Sequence, residues 1–152
     1  MESVVFQRMS FALRCRRYFL VRSEIDISSY NISRFAIAFV WLYHGLIPKL
    51  IFQHATELEL INKGPLLGTA ENTLFLAGVA EVLIGLCVLL FWNQLWPAYL
   101  SLIGFLLLLV ASVAISPEHA IHAFNPITLT MSAIFFCLIQ IFSKDGKSSL
   151  VD

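Results

Sequence analysis

Four long apolar segments, separated by short polar stretches, dominate the pattern of residues along the chain. They cover about 35–52, 74–92, 95–115 and 126–142. Each has close to the roughly 20 residues that an α-helix needs to cross a hydrocarbon core about 30 Å thick. The segment 95–115 has no charged residue on any face, whereas a helix of a soluble bundle has a charged face. The pattern predicts an all-α fold, an integral membrane bundle of four helices.

The composition of the chain indicates that lipid, not water, surrounds most of it. Of the 152 residues, 59% are hydrophobic and 13% are charged, and the formal net charge is zero. These values exclude a soluble domain with a charged surface and a basic nucleic-acid-binding protein.

We expect a basic arm over 1–31, one membrane domain over 32–142 and a tail over 143–152. The expected partner is the lipid bilayer, with no nucleic acid.

The distribution of basic residues predicts the orientation of the chain, because lysine and arginine collect in cytoplasmic segments. Of the ten such residues, two follow the last apolar segment and six precede the first, namely Arg8, Arg14, Arg16, Arg17, Arg22 and Arg34. This asymmetry and the even number of spans predict that both termini are cytoplasmic, in a multi-pass protein of the cell (inner) membrane. Trp92 and Trp96 then flank a turn at the cytoplasmic surface, where tryptophan is enriched.

Glu81 lies inside the second apolar segment, where an acidic side chain costs roughly 2.5–3.5 kcal/mol to insert. Gly78 and Gly85 share its helix face, so the carboxyl group is expected to point into a helix interface. His44 in the first segment is the candidate partner. In antiparallel neighbours both residues lie roughly 11 to 12 Å below the outer boundary, at 1.5 Å per residue. The sequence is compatible with a charged pair and with a neutral pair.

Lys49 follows Pro48 near the outer end of the first segment. Its long stem allows the ammonium group to reach the lipid headgroups, or to supply positive potential at the mouth of a pocket. Pro48 lacks a backbone donor and leaves a carbonyl group near residue 44 without its helical partner. A distortion of the helix beside His44 is therefore expected to open space there.

Polar residues also mark the start of the fourth segment. Asn125 precedes Pro126 and is predicted to cap the helix, and Thr128 and Ser132 continue its face into the bundle. His122 lies three residues before Asn125. A metal site formed with Glu118 and His119 is not expected, because no further ligands follow at a suitable spacing.

These polar positions share one half of the predicted bundle, the outer half, while the inner half offers little beyond Gln140 and the end groups of the turn. Polar residues that only join helices are expected in both leaflets. A pocket that opens to one side of the membrane instead places its polar residues in one leaflet. The sequence predicts a ligand pocket lined by His44, Lys49, Glu81, His122 and Asn125. No nucleophile or nucleotide-binding motif is present, so no catalytic residue is assigned.

Three motifs resemble those of the DoxX-like family of small four-span membrane proteins. They are Trp41-Leu-Tyr-His-Gly-Leu-Ile-Pro-Lys49, Ala77-Gly-Val-Ala-Glu81-Val-Leu-Ile-Gly85 and His122-Ala-Phe-Asn125-Pro126. The resemblance covers roughly 32–142. It implies a four-helix membrane bundle. It also implies an association with membrane redox or oxidative-stress complexes, since DoxX itself is named as a membrane subunit of a quinone-reducing sulfur oxidoreductase.

The leading hypothesis is an accessory or redox-associated membrane subunit, without enzymatic activity on its own, whose pocket takes a small polar or quinone-like molecule. A quinone is then the expected cofactor, with no covalent or metal cofactor, and a membrane or soluble redox protein or a second copy of the chain is the expected partner. One alternative is a membrane scaffold without a ligand, in which the polar pairs serve only assembly. A small transporter or proton-conducting oligomer is the other alternative.

Overall fold

The computed structural model describes residues 28–64, 67–115, 117 and 125–148, without the side chains of 145–148. Within these ranges the chain is all-helical and contains no strand. Four helices are long and apolar enough to cross a membrane, which confirms the predicted fold class. The orientation of the termini stays a prediction. The predicted site residue His122, its neighbours Glu118 and His119, and the arginines of the arm before Ser28 lie outside the described residues.

Five helices follow one another along the chain: α1 (Ser28–Ile51), α2 (Ala55–Asn62), α3 (Ala70–Leu90), α4 (Trp96–Ile115) and α5 (Pro126–Ser148). The membrane-length helices are α1, α3, α4 and the Pro126–Lys144 part of α5. Because successive spans alternate in direction, α2 lies at one end of the bundle and the turn 91–95 at the other. We call these the α2 end and the turn end.

The first span differs from its predicted boundaries at its start. Hydropathy placed that start near residue 35, but α1 is already helical at Ser28. Arg34 therefore lies within the helix, where it is fully buried. The charge at this position lowers the local hydropathy, although the side chain is accommodated by carbonyl groups that the sequence pattern does not reveal.

The last two turns of α1 are π-helical, over Gly45–Ile51, and contain Pro48. A proline inside a helix cannot donate to the carbonyl group four residues before it, and wider turns are one way for a helix to accommodate such a break. The amide of Phe52 donates to the Ile47 carbonyl oxygen, at 3.1 Å, and thus closes a wide turn. The expected distortion near Pro48 is present, and it takes this form.

Small residues allow α1 and α3 to pack closely. A Cβ atom added at Gly45 would lie 2.7 Å from the carbonyl oxygen of Gly78, and one added at Gly85 would lie 2.9 Å from Cγ of Leu42. On α3 the buried residues recur at helical spacing on one face, in the order Leu74, Gly78, Glu81, Gly85, Val88. This face carries Glu81 directly into the interface, as the sequence predicted.

Side chains from the four long helices meet in one apolar core: Ile37, Ala38, Trp41, Val88, Phe105, Ala133, Ile134 and Cys137. The rings of Trp41 and Phe105 stack with their centroids 4.3 Å apart. Gly104 makes room for this stack, since a Cβ atom there would lie 2.9 Å from the Trp41 ring. The outer faces of the helices are apolar as well, as contact with lipid requires.

Backbone carbonyl groups at the turn end are held by buried or long basic side chains. Arg34 donates to the carbonyl oxygens of Trp92, at 2.7 Å, and Leu89, at 3.0 Å, and its guanidinium group lies 4.6 Å from the Trp92 ring centroid. Lys144 donates to the carbonyl oxygen of Asn93. The last carbonyl groups of α3 have no partner within their own helix. These contacts tie α1 and α5 to the turn between α3 and α4.

Candidate functional site

A cavity of about 600 Å³ lies toward the α2 end of the bundle. Every helix contributes to its wall. The lining residues are Val40, Trp41, His44, Lys49, Thr56, Glu57, Leu60, Glu81, Phe105, Leu108, Ser112, Asn125, Pro126, Thr128, Leu129, Thr130 and Ser132. Four of the five residues predicted to bind a ligand, namely His44, Lys49, Glu81 and Asn125, thus surround one space.

The central polar contact of this cavity is an ion pair between Lys49 on α1 and Glu81 on α3. The Lys49 ammonium group donates to Oε1 of Glu81. Both side chains are buried, each with 8% of its surface exposed. Removing charges from water is costly, and a close, hydrogen-bonded partner offsets part of that cost. Lys49 therefore does not extend to the headgroups, which corrects one of the two roles expected for it.

Glu81 was expected to pair with His44, and that expectation is wrong. Among the described residues, the only side chain that hydrogen-bonds to Glu81 is Lys49. The predicted depth of the two residues in the membrane agrees with the structure. Gly45 follows His44 and packs against Val82, the residue after Glu81. The predicted direction around the helix axis does not agree, because Gly45, the next residue, faces α3, and successive side chains of a helix point about 100° apart. Lys49, four residues after Gly45, lies on the same face, with its Cβ atom packed over Gly78.

A second carboxylate, from α2, also faces Lys49. Oε2 of Glu57 lies 3.8 Å from the Lys49 ammonium nitrogen, and the Glu57 side chain is 26% exposed. Neither α2 nor a role for Glu57 was predicted from the sequence. The signal that was available is a basic residue in a membrane span, which needs a counter-charge, followed closely by an acidic segment. His54 caps this helix by accepting a hydrogen bond from the Thr56 amide at 3.3 Å.

His44 and Asn125 contribute to other parts of the wall. His44 is half-buried and packs edge-on against Tyr43, with the ring centroids 6.0 Å apart. Oδ1 of Asn125 accepts a hydrogen bond from the Thr128 amide at 2.8 Å, so the predicted helix cap is confirmed. The Thr128 hydroxyl group donates to the carbonyl oxygen of Asn125, and the Ser132 hydroxyl group donates to that of Thr128. This stripe of α5 gives the cavity a polar side.

Two buried polar atoms on cavity-lining residues have no hydrogen-bond partner in the described part of the chain. They are Oε2 of Glu81 and Nε1 of Trp41. The Glu81 residue is 6% exposed and Trp41 is 3% exposed. A buried polar atom without a partner costs roughly 1–3 kcal/mol. A ligand that supplies complementary polar atoms would recover part of that cost.

Buried polar residues are not confined to the cavity half, contrary to the sequence analysis. Arg34, Ser101 and Gln140 are buried toward the turn end, and Ser101 Oγ and Gln140 Oε1 have no hydrogen-bond partner within the described ranges. The expected concentration of polar residues in one leaflet is therefore absent among the described residues, and it cannot serve as evidence for a pocket. The support for a site comes instead from the cavity and the polar atoms on its wall.

The cavity combines a polar side with an apolar, partly aromatic side. Lys49, Glu81 and the α5 stripe form the first, while Trp41, Phe105 and Leu108 contribute to the second. Such a lining suits a small molecule with a flat apolar body and polar groups at its edge. In the described ranges, no three His, Cys, Asp or Glu side chains cluster as a metal ion would require.

Comparison with known proteins identifies the family of the chain. The model of the DoxX-like family matches residues 38–138, a range that includes Trp41, Lys49, Glu81 and Asn125. No curated protein and no solved structure matches the chain. Since the match covers most of the chain, including all four membrane-length helices in whole or in part, the chain is an integral membrane protein that belongs to the DoxX-like family.

Proposed function

We propose that the chain is an accessory, redox-associated membrane subunit that binds a quinone-like molecule in the cavity beneath α2. The observation that carries the proposal is the Glu81 carboxylate. It lines the cavity while one of its oxygens, Oε2, has no hydrogen-bond partner among the described residues. A group this costly inside a membrane is retained most readily where a ligand or a proton engages it.

A quinone ring fits both the polar side and the apolar side of the cavity. Its flat apolar body matches the stacked rings of Trp41 and Phe105. Its polar edge matches the cavity side formed by Lys49, Glu81 and Asn125, and His44 adds a group that both donates and accepts hydrogen bonds. When bound, a quinone supplies the electron-carrying chemistry, and the chain holds and orients it.

The proposal extends to the surroundings of the protein. With both termini in the cytoplasm, the α2 end faces the outer side of the cell membrane, and the turn end, with Arg34 and Lys144, faces the cytoplasm. A membrane or soluble redox protein would then exchange electrons with the bound molecule.

Tryptophan fluorescence tests this proposal. In a Trp92→Phe, Trp96→Phe protein the remaining fluorophore, Trp41, lines the cavity. We expect decyl-benzoquinone, added to the purified protein in nanodiscs, to quench its emission with a saturable curve. A Trp41→Phe, Trp96→Phe protein reports instead on Trp92 at the turn end, where only weak, unsaturable quenching by quinone dissolved in the lipid is expected.

Two neighbouring residues of α4 provide the matched variants. Leu108 lines the cavity, whereas Leu107 is 65% exposed on the outer face. Leu108→Phe fills part of the cavity and should weaken saturable quenching at least tenfold, while Leu107→Phe should leave it unchanged. Equal, unsaturable quenching of Trp41 and Trp92 in all variants would contradict the proposal and favour a scaffold without a ligand.

A further inference from the structure

We propose that the cavity binds the reduced, hydroquinone form of its ligand in preference to the oxidised quinone. This inference rests on the proposed function, since it concerns which form of the quinone-like molecule the same site holds. It follows from the balance of hydrogen-bond donors and acceptors around Glu81.

The charged groups at the cavity have an excess of acceptors. Lys49 is the one lysine or arginine among the described lining residues, and two carboxylates face it. It donates to Oε1 of Glu81, and Oε2 of Glu57 lies 3.8 Å from its nitrogen. With all three groups ionised, the cluster has a formal charge of −1. The positive charge is therefore already engaged, and a negative charge remains to be compensated.

The second oxygen of Glu81 determines what a ligand must bring. Oε2 is buried and accepts no hydrogen bond within the described part of the chain. An ionised carboxylate is only an acceptor. The ligand atom that satisfies it must therefore carry a hydrogen, as the hydroxyl group of a hydroquinone does.

A quinone has the opposite character at the same position. Its two carbonyl oxygens are acceptors only, so one placed against Oε2 of Glu81 would meet a second acceptor and leave the carboxylate without a partner. Sites that are built to hydrogen-bond one polar group discriminate strongly against an analogue that lacks it, because their buried polar atoms are then left unpaired.

The remaining polar groups of the wall are compatible with either form. His44 offers both a donor and an acceptor, and the Trp41 indole nitrogen is a donor only. Oδ1 of Asn125 already accepts a hydrogen bond from the Thr128 amide. A hydroquinone hydroxyl group both donates and accepts, so it can satisfy Glu81 and still accept a hydrogen bond. The discrimination between the two forms therefore depends mainly on Glu81.

Paired titrations test this inference. Decyl-benzoquinone and its two-electron-reduced hydroquinone are titrated separately, without oxygen, into the purified full-length protein in nanodiscs, with isothermal calorimetry as the readout and empty nanodiscs as the blank. We expect hydroquinone to bind at least tenfold more tightly, the change that one hydrogen bond to a charged group produces. In Glu81→Gln the amide also donates, so the two affinities should come within about threefold. Glu71→Gln, an exposed change on the same helix, should keep the wild-type ratio.

The outcomes separate the two proposals. If neither form binds above the blank, the proposed function fails. If both bind and the quinone binds as tightly as the hydroquinone or more tightly, the proposed function stands and the preference is overturned. The wild-type ratio decides this even where Glu81→Gln fails to fold. An unchanged ratio in a folded Glu81→Gln protein would also overturn the inference, because Glu81 would then not be the discriminating group.

Discussion

The ammonium group of Lys49 and the carboxylate of Glu81 form a buried ion pair that joins the π-helical end of α1 to the middle of α3. The pair lies at a closely packed helix interface, beside Gly78. It also lines the cavity. Helix association and the proposed ligand binding thus involve the same two side chains, and the two contributions can be separated by changing one partner or both.

Replacing Glu81 alone should be strongly destabilising. Glu81→Leu leaves Lys49 buried without its close partner, and breaking a buried pair in this way costs about 3–5 kcal/mol. Adding Lys49→Met should restore most of the lost stability, because two apolar residues of similar volume avoid the cost of burying charge. Thermal unfolding in detergent, followed by circular dichroism, measures both effects.

The matched control for this rescue is the double variant Glu81→Leu, His44→Leu. It should remain as unstable as Glu81→Leu, since His44 makes no hydrogen bond to Glu81 among the described residues. Equal rescue by His44→Leu and Lys49→Met would indicate that the ion pair is not the main partner of the carboxylate.

The glycine contact between α1 and α3 predicts a sharp steric effect. Gly45→Ala places a methyl group 2.7 Å from the backbone oxygen of Gly78, and neither backbone can give way locally. We expect a loss of about 1–3 kcal/mol or more in unfolding free energy, as for overpacked cores. Gly64→Ala is the control, because its nearest neighbour would be 3.6 Å away. Similar stabilities of the two variants would be inconsistent with this packing.

Arg34 should be a main determinant of order at the turn end. Arg34→Met removes hydrogen bonds from a charged donor to the Leu89 and Trp92 carbonyl oxygens. We expect a loss of about 2 kcal/mol or more and faster hydrogen exchange at the amides of 91–95. Lys63→Met, which removes an exposed ion pair with Glu59, should change stability by less than about 1 kcal/mol. If exchange at 91–95 were unaffected in Arg34→Met, the buried guanidinium group would not be holding the turn.

Cysteine labelling in whole cells tests the proposed orientation. In a background with Cys15, Cys87 and Cys137 replaced, Glu59→Cys on exposed α2 should react with a membrane-impermeant maleimide. Asn93→Cys in the turn should react only after the cells are permeabilised. The reverse pattern would place the cavity toward the cytoplasm and overturn the predicted topology.

The sequence was sufficient for the fold because the fold depends mainly on hydropathy and length. Runs of about 20 apolar residues have few alternatives to membrane helices, and the spacing of Gly78, Glu81 and Gly85 correctly identified the buried face of α3. The start of α1 was misplaced because Arg34 resembles a membrane boundary in a hydropathy profile. Only the tertiary contacts with the carbonyl groups of Leu89 and Trp92, at the end of α3 and in the turn, show how its charge is buried.

The site was predicted less completely, for geometric reasons. Counting residues along a helix gives the depth of each residue in the membrane. The depths predicted for His44 and Glu81 agree with the structure. The rotation of each side chain about the helix axis was not available, because residue counting does not show which face of α1 packs on α3, and Gly45, not His44, lies on that face. The role of Glu57 was missed since α2 is a short, polar helix outside the spans, and its position over Lys49 follows from the path of the loop.

The most direct test of the cavity as a binding site is the nuclear magnetic resonance signal of the Trp41 indole N–H group, with the Trp92 and Trp96 signals as internal references. Trp41 lines the cavity, and its Nε1 has no hydrogen-bond partner in the described chain. We expect decyl-benzoquinone or its hydroquinone, added to ¹⁵N-labelled protein in nanodiscs, to shift the Trp41 signal until it saturates, with the Trp92 signal unmoved. A Trp41 signal that stays fixed at concentrations of both forms that saturate the lipid would contradict binding in this cavity.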